Sequence, residues 1–486
     1  MLNYATNTKT VPVAGIILKE YFDNENKRMK SILLKNGLLI SSEKEYSEDI
    51  LISGEIISEI KENISSIPED TNIIDISGKL VFPGGIDAHV HMELQTPAGP
   101  SSDDFYTGSI AAIYGGTTSF IDFVTPVKNE SLIDALTERM RFAEKSLIDY
   151  SFHMGITSWK PEIAREMEII VKKYGITSFK TYLAYKGTVG IEEAELLEVM
   201  KTAAKLNALV TVHCETGDEI LRLQKKFIRE NKTLPKYHAL SRPVECEINS
   251  VKNVIQIAKQ TKCPVYIVHT SAAGSLDAIE KAQIEGQPVF SETCPQYLFL
   301  DESLYELPLP DSLKYIISPP LRNVEDQNRL WQGIQKGSVS VIATDHCPFN
   351  LSGQKDVGIS NFTKVPNGAG SIEHRLSLLY TYGVLKNKIS VQQYVQLCCT
   401  NPAKIFRLNP RKGDLTKGSD ADIVVWNPKI KENISSKTHH QNCDSNIFEG
   451  FETIGKPEYV FVKGKKVLEK NKINISGLKG KFISRK

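Results

Sequence analysis

Residues 86–91 of this 486-residue chain read IDAHVH. His89 and His91 stand two apart, so on a strand both imidazoles point to one face. Such a pair is either a metal grip or an incidental alternation. Residues far along the chain bear on the choice. Lys180 lies in SFKTYL, His213 in LVTVHCE, His269 in VYIVHTS and Asp345 in VSVIATD, each at or near the end of an apolar run. Singly, each has an ordinary reading: a hydrogen-bonded core histidine, an aspartate capping a helix, a lysine reaching the rim or an ion pair. Together they form a donor set. Imidazole nitrogen and carboxylate oxygen suit zinc. Four histidines and one aspartate exceed what one open catalytic ion needs and match two ions. Lys180 is costly to bury charged. As a neutral, desolvated amine it can add carbon dioxide, and the carbamate would bridge two cations. The middle strands offer no obvious Asp or Glu for that bridge.

These residues need a scaffold that brings the ends of several strands together. Eight β-type runs recur, at 86–91, 117–124, 150–157, 176–183, 209–215, 265–271, 288–294 and 339–345, with helix-like stretches such as LIDALTERMRFAEKSL and EEAELLEVMKTAAKLN between them. That arithmetic predicts an α/β fold, a (β/α)8 TIM-like barrel, whose chemistry sits at the C-terminal ends of its strands. The near-continuous apolar runs suit parallel strands covered on both faces. A doubly wound open sheet is the competing architecture.

The flanks read differently. Residues 31–80 and 411–475 carry short alternating runs punctuated by turn signals such as Lys35-Asn36-Gly37, and are expected to pair into one small β-sandwich domain beside a catalytic barrel at 81–410. Residues 1–30 are expected to be a poorly ordered extension, with an apolar stretch at 11–18 too short to span a membrane. Lys plus Arg is 59 and Asp plus Glu is 58, so a net charge of +1 gives no reason to expect nucleic acid or an anionic membrane as partner. Eight cysteines without a CxxC spacing read as reduced thiols of a cytoplasmic protein.

The motifs, taken in order, carry a family resemblance. They are GGIDAHVHMEL (84–94), DDFYTGSIAAIYGGTTSFIDF (103–123), SFKTYLAYKG (178–187), VHCETGD (212–218), SRPVECE (241–247), VHTSAAGS (268–275), SETCPQYL (291–298), SPPLR (318–322), ATDHCPF (343–349) and VPNGAGSIEHR (365–375). The chain resembles the dihydropyrimidinase/hydantoinase family of cyclic amidases within the amidohydrolase superfamily. The resemblance implies that His89, His91 and Asp345 hold one zinc and His213 and His269 the other, with Lys180 as an N6-carboxylysine bridging both beside a hydroxide. It implies that Tyr185 donates to the developing oxyanion, that Asp345 is general acid/base, and that Ser318 and Asn367 contact the ring amide. It also implies a homotetramer. The implied reaction is hydrolysis of dihydropyrimidines or 5-substituted hydantoins to N-carbamoyl amino acids. Dihydroorotases place an arginine after the HxH pair, whereas Met92 and Glu93 follow here. The loop ELQTPAGPS at 93–101 departs from many hydantoinases, which leaves the substrate range open. Alternatives are an allantoinase-like amidase or a non-catalytic scaffold relative. His153, His238, His346, His374, His439 and His440 are expected to stand outside the ligand set.

Overall fold

The computed structural model describes residues 31–485. Eight parallel strands follow one another in chain order round a single sheet: Gly85–Val90, Thr117–Val124, Asp149–Gly155, Ser178–Tyr182, Leu209–His213, Val265–Ile267, Val289–Thr293 and Val341–Ile342. Each falls within, or within a residue of, one of the runs expected from the sequence. Every residue of the first five strands is buried, which is why those runs read as apolar throughout rather than alternating. The first and last strands meet. The His91 N–H donates to the His346 carbonyl at 2.8 Å, and Asp87 accepts from the Thr344 amide (3.1 Å) and hydroxyl (2.6 Å). The sheet therefore closes into a barrel, and the open-sheet alternative is excluded.

Helices wrap the outside. Leu132–Ala143 starts at Ser131, whose hydroxyl accepts from the Ile133 and Asp134 amides, satisfying N–H groups that the helix itself cannot. Glu193–Lys205 buries Leu196, Val199, Met200 and Ala203, the periodic face that its sequence announces. Between the fifth and sixth strands the crossover expands to three helices, Gly217–Arg229, Lys236–Leu240 and Val244–Thr261.

Two further sheets flank the barrel. One runs Ile56–Lys61, Asp49–Ser53, Ile32–Lys35, Asn72–Asp75. The other joins the two ends of the chain, because Leu80–Pro83 pairs antiparallel with Ile423–Asn433. Leu34, Ile50, Ile57, Val425 and Phe461 share one buried cluster drawn from both sheets. The extension expected at residues 1–30 lies outside the described residues.

The last residues were not assigned a place from the sequence. They run beside the third barrel strand at the end opposite the HxH pair. The Tyr150 amide donates to the Lys481 carbonyl (3.1 Å), the Ile483 amide to the Tyr150 carbonyl (2.7 Å) and the Ser151 hydroxyl to the Ile483 carbonyl (2.9 Å). Arg485 is fully buried there, donating to the Phe152 carbonyl and to the Ser178 hydroxyl.

Candidate active site

At the C-terminal rim of the barrel a cavity of about 790 Å³ opens. His89, His91, Lys180, Tyr185, His213, His269, Ser318, Asp345 and Asn367 all line it. These are all nine residues singled out from the sequence, and they come from positions up to 278 apart in the chain (367 − 89).

The donors fall into two groups. In the first, His89 Nε2 and His91 Nε2 lie 3.0 and 3.2 Å from Asp345 Oδ1. In the second, His213 Nδ1 is 2.9 Å from His269 Nε2. The groups adjoin, with the His89 and His269 rings 5.5 Å apart between centroids. Lys180, only 1% exposed, points its Nζ at the faces of Phe123 and Tyr182, 5.1 and 4.9 Å from their centroids, and finds no hydrogen-bond partner.

The electrostatics distinguish the groups. Burial opposes a charge on His89, but Glu292 and Asp345 outweigh it and hold the pKa at about 9. The first group is thus a seat that favours a cation. Burial pushes His213 and His269 down, so both are neutral imidazoles with lone pairs to offer. Burial also lowers Lys180 to about 8, so about a tenth of its amine is uncharged at pH 7. Asp345 stays ionised, well below its usual range, because His89 and His91 overcome the cost of burial. Burial raises the Tyr185 phenol, keeping it a protonated donor. Tyr185, His269 and Asp345 all adopt positive φ, at 56°, 37° and 54°. Such backbone costs of order 1–3 kcal/mol per residue and gathers where side-chain direction matters more than stability.

Comparisons with known proteins give the family. The amidohydrolase family profile matches residues 80–467. A D-hydantoinase of Geobacillus stearothermophilus is 39% identical over 437 residues, covering 90% of this chain and 92% of that protein. A dihydropyrimidinase of Arabidopsis thaliana is 37% identical over 453 residues, covering 93% and 85%. The crystal structure of the dihydropyrimidinase from Brevibacillus agri NCHU1002 superposes with a TM-score of 0.92 at 38% identity, covering 94% of this chain and 98% of that one. The chain belongs to the dihydropyrimidinase/hydantoinase family of amidohydrolases. It is an enzyme, a hydrolase of cyclic amides.

A member of this family is expected to hold metal, and the donor set fits one. His89, His91 and Asp345 bring three ligand atoms within 4.8 Å of one another. The orphaned Lys180 amine is the other mark of fit, since a buried polar group without a partner is costly unless something completes it.

Sequence reasoning missed the carboxylates behind the imidazoles. It sought only a bridging carboxylate, for which the middle strands offer no obvious Asp or Glu, and gave no role to Glu292 and Glu215. Glu292 Oε1 lies 2.7 Å from His89 Nδ1 and accepts the His269 amide at 3.1 Å, while its Oε2 takes the Tyr266 hydroxyl at 2.8 Å. Glu215 Oε2 is 2.7 Å from His213 Nε2 and is held by Arg242. Each fixes a ring orientation from the side away from the cavity. Glu215 follows His213 by two residues and Glu292 lies one residue inside the end of its strand, and neither position names its partner.

The remaining histidines are occupied elsewhere. His346 faces Asp103 at 3.0 Å, His153 bonds Ser178 (2.6 Å) and the Ala88 carbonyl (3.0 Å), and His238 bonds the Ile317 carbonyl (2.7 Å). His374 meets Asn446 at 2.8 Å, His439 meets the Cys443 carbonyl at 2.8 Å, and His440 meets Glu373 at 2.8 Å. None of the six lines the cavity. All eight cysteines are unpaired, seven of them buried.

Proposed function

We propose that this enzyme opens the ring of 5,6-dihydropyrimidines or 5-substituted hydantoins, giving N-carbamoyl amino acids, with two zinc ions held by His89, His91, His213, His269, Asp345 and carboxylated Lys180. The observation that carries this reading is the unpartnered Lys180 amine among five metal-competent side chains in one cavity. When bound, the ions would supply a hydroxide at neutral pH and polarise the ring carbonyl.

The chain's own residues do the rest. Asp345 accepts the nucleophile's proton at a carboxylate oxygen and delivers it to the departing ring nitrogen. Tyr185 donates its phenol hydrogen to the oxygen on which charge develops; one such donor is worth about 3–4 kcal/mol. Ser318 and Asn367, both in the cavity wall, bind the ring amide. Burial of the Lys180 side chain favours the neutral amine that reacts with carbon dioxide.

The substrate class is supported by the names of the relatives and by the absence of an arginine after the HxH pair. A panel of dihydrouracil, dihydrothymine, 5-substituted hydantoins, allantoin and dihydroorotate, compared by kcat/KM, tests it. Preference for allantoin would make this an allantoinase-like amidase. No turnover together with no bound zinc would return the scaffold alternative. We further propose the division into a barrel at 81–410 and a β-rich domain from 31–80 and 411–475, a homotetramer in solution, and a cytoplasmic location. No described helix is long and apolar enough to cross a membrane. Light scattering of the purified protein tests the tetramer.

A further inference from the structure

Lys355 is a second buried lysine, and nothing above uses it. It lies in the segment 350–358, whose Val357 lines the cavity, and is 2% exposed. Its Nζ donates to the Ile316 carbonyl at 3.0 Å and the Pro366 carbonyl at 3.1 Å. Among the described residues no carboxylate faces it, and burial lowers its pKa to about 7. The two carbonyls give the Nζ a hydrogen-bond acceptor on each of two segments.

Those carbonyls belong to the strands of chain that carry the ring-amide contacts. Ile316 is two residues before Ser318, and Pro366 directly precedes Asn367. The Ile316 carbonyl also accepts the Gly368 amide at 3.1 Å, so Lys355 locks a junction between the two segments. The neighbouring residue reaches the other wall. Gln354 Nε2 donates to the Pro100 carbonyl at 2.8 Å, and its Oε1 accepts the Asn350 amide at 2.8 Å. Pro100 belongs to the loop whose residues Leu94, Gln95, Thr96, Pro97 and Ala98 line the cavity with Ser318 and Asn367. Asp444 anchors the base of the segment, accepting the Leu351 and Ser352 amides at 2.6 and 3.0 Å.

We infer that Gln354 and Lys355 form a two-residue clamp that sets the width of the substrate cavity: Lys355 positions the Ser318 and Asn367 wall, assigned above to the ring amide, and Gln354 positions the 94–98 wall, to which we assign the ring substituent. This rests on the cyclic-amide reading and adds which residues outside the cavity decide the substrate. Both are positioning residues. They touch backbone, so they act through the distance between the walls.

The test uses the full-length, zinc-loaded enzyme. Lys355→Met keeps the chain length and removes both donors. KM for dihydrouracil is expected to rise about tenfold, kcat to fall less than about threefold, and zinc per chain to stay at the wild-type value, since only ground-state and transition-state binding together are loosened. Lys355→Gln, which keeps an amide donor, should fall between Met and wild type. It is read in the same way if the Met protein does not fold. Gln354→Leu should lower kcat/KM for a 5-substituted hydantoin by about fivefold more than for dihydrouracil. Unchanged KM in the Lys355 variants overturns the clamp, as does a fall in kcat that tracks lost zinc, which would mark a merely structural lysine. Failure of the wild-type enzyme to hydrolyse any member of the panel is a separate result: it overturns the cyclic-amide reading itself, and the clamp's substrate role with it.

Discussion

The two donor groups in the cavity are built differently. The first, His89 with His91, has its own carboxylate in reach: Asp345 Oδ1 is within 3.2 Å of both rings. The second, His213 with His269, has none on the cavity side, because Glu215 stands behind His213 and is ionised with a pKa of about 2, held down against burial by Arg242 and His213. On the proposed two-zinc reading, the first seat would have its anion in Asp345, and the second would take one from Lys180 once carboxylated. The difference teaches that a ligand set must be counted with its charge, since neutral imidazoles alone leave a divalent ion uncompensated.

The largest effect should come from removing the shared element. Lys180→Ala is expected to lower kcat/KM by about 10³-fold or more and to empty the second seat before the first, with added short carboxylic acids restoring part of both. Full activity with two zinc ions per chain would end the carboxylation idea. Next is the oxyanion donor: Tyr185→Phe should cost about 10²–10³ in kcat with zinc content unchanged, as read by steady-state kinetics beside metal analysis. Smaller losses are expected behind the rings. Glu292→Gln and Glu215→Gln should each weaken metal binding by about 10–100-fold. Glu292→Gln should disturb both seats, because that carboxylate supports His89 and the His269 amide alike, whereas Glu215→Gln should disturb the second alone. Chelator titrations followed by zinc analysis separate the two. The mildest lever is pH. Burial holds Lys180 at about 8, below its ordinary 10.5, so the uncharged amine increases as pH rises through 8. Reactivation of metal-free enzyme by zinc and bicarbonate should therefore run faster at pH 9 than at pH 7, by less than about tenfold at equal dissolved carbon dioxide. A rate that is flat over this range would show that the amine is not what limits assembly.

Much of the barrel was legible because burial on both faces leaves an unmistakable run, and because strand-end histidines interrupt it. The length of the runs was less faithful. VYIVHTS and VSVIATD suggested seven-residue strands, but pairing stops at Ile267 and Ile342, before the left-handed residues His269 and Asp345 turn the chain. A sequence shows apolar character, while pairing ends where backbone direction changes. The donors were legible because metal chemistry uses few residue types. Their supports were not. Glu292 meets His89 across 203 positions, and nothing local to SETC points to that partner. The Lys355 amine and the Gln354 amide were equally silent, because hydrogen bonds to backbone carbonyls leave no complementary residue in the sequence to pair them with.

The path of residues 480–485 beside the third barrel strand has a consequence for how the protein is made. Ser151 waits for a carbonyl 332 positions later in the chain. On the ribosome, Asp149–Gly155 stays without those partners while the other strands, the helices and both flanking sheets are synthesised. A strand made early in the barrel thus completes its hydrogen bonds only after residues 480–485 have been made, and until then those groups stay unpaired.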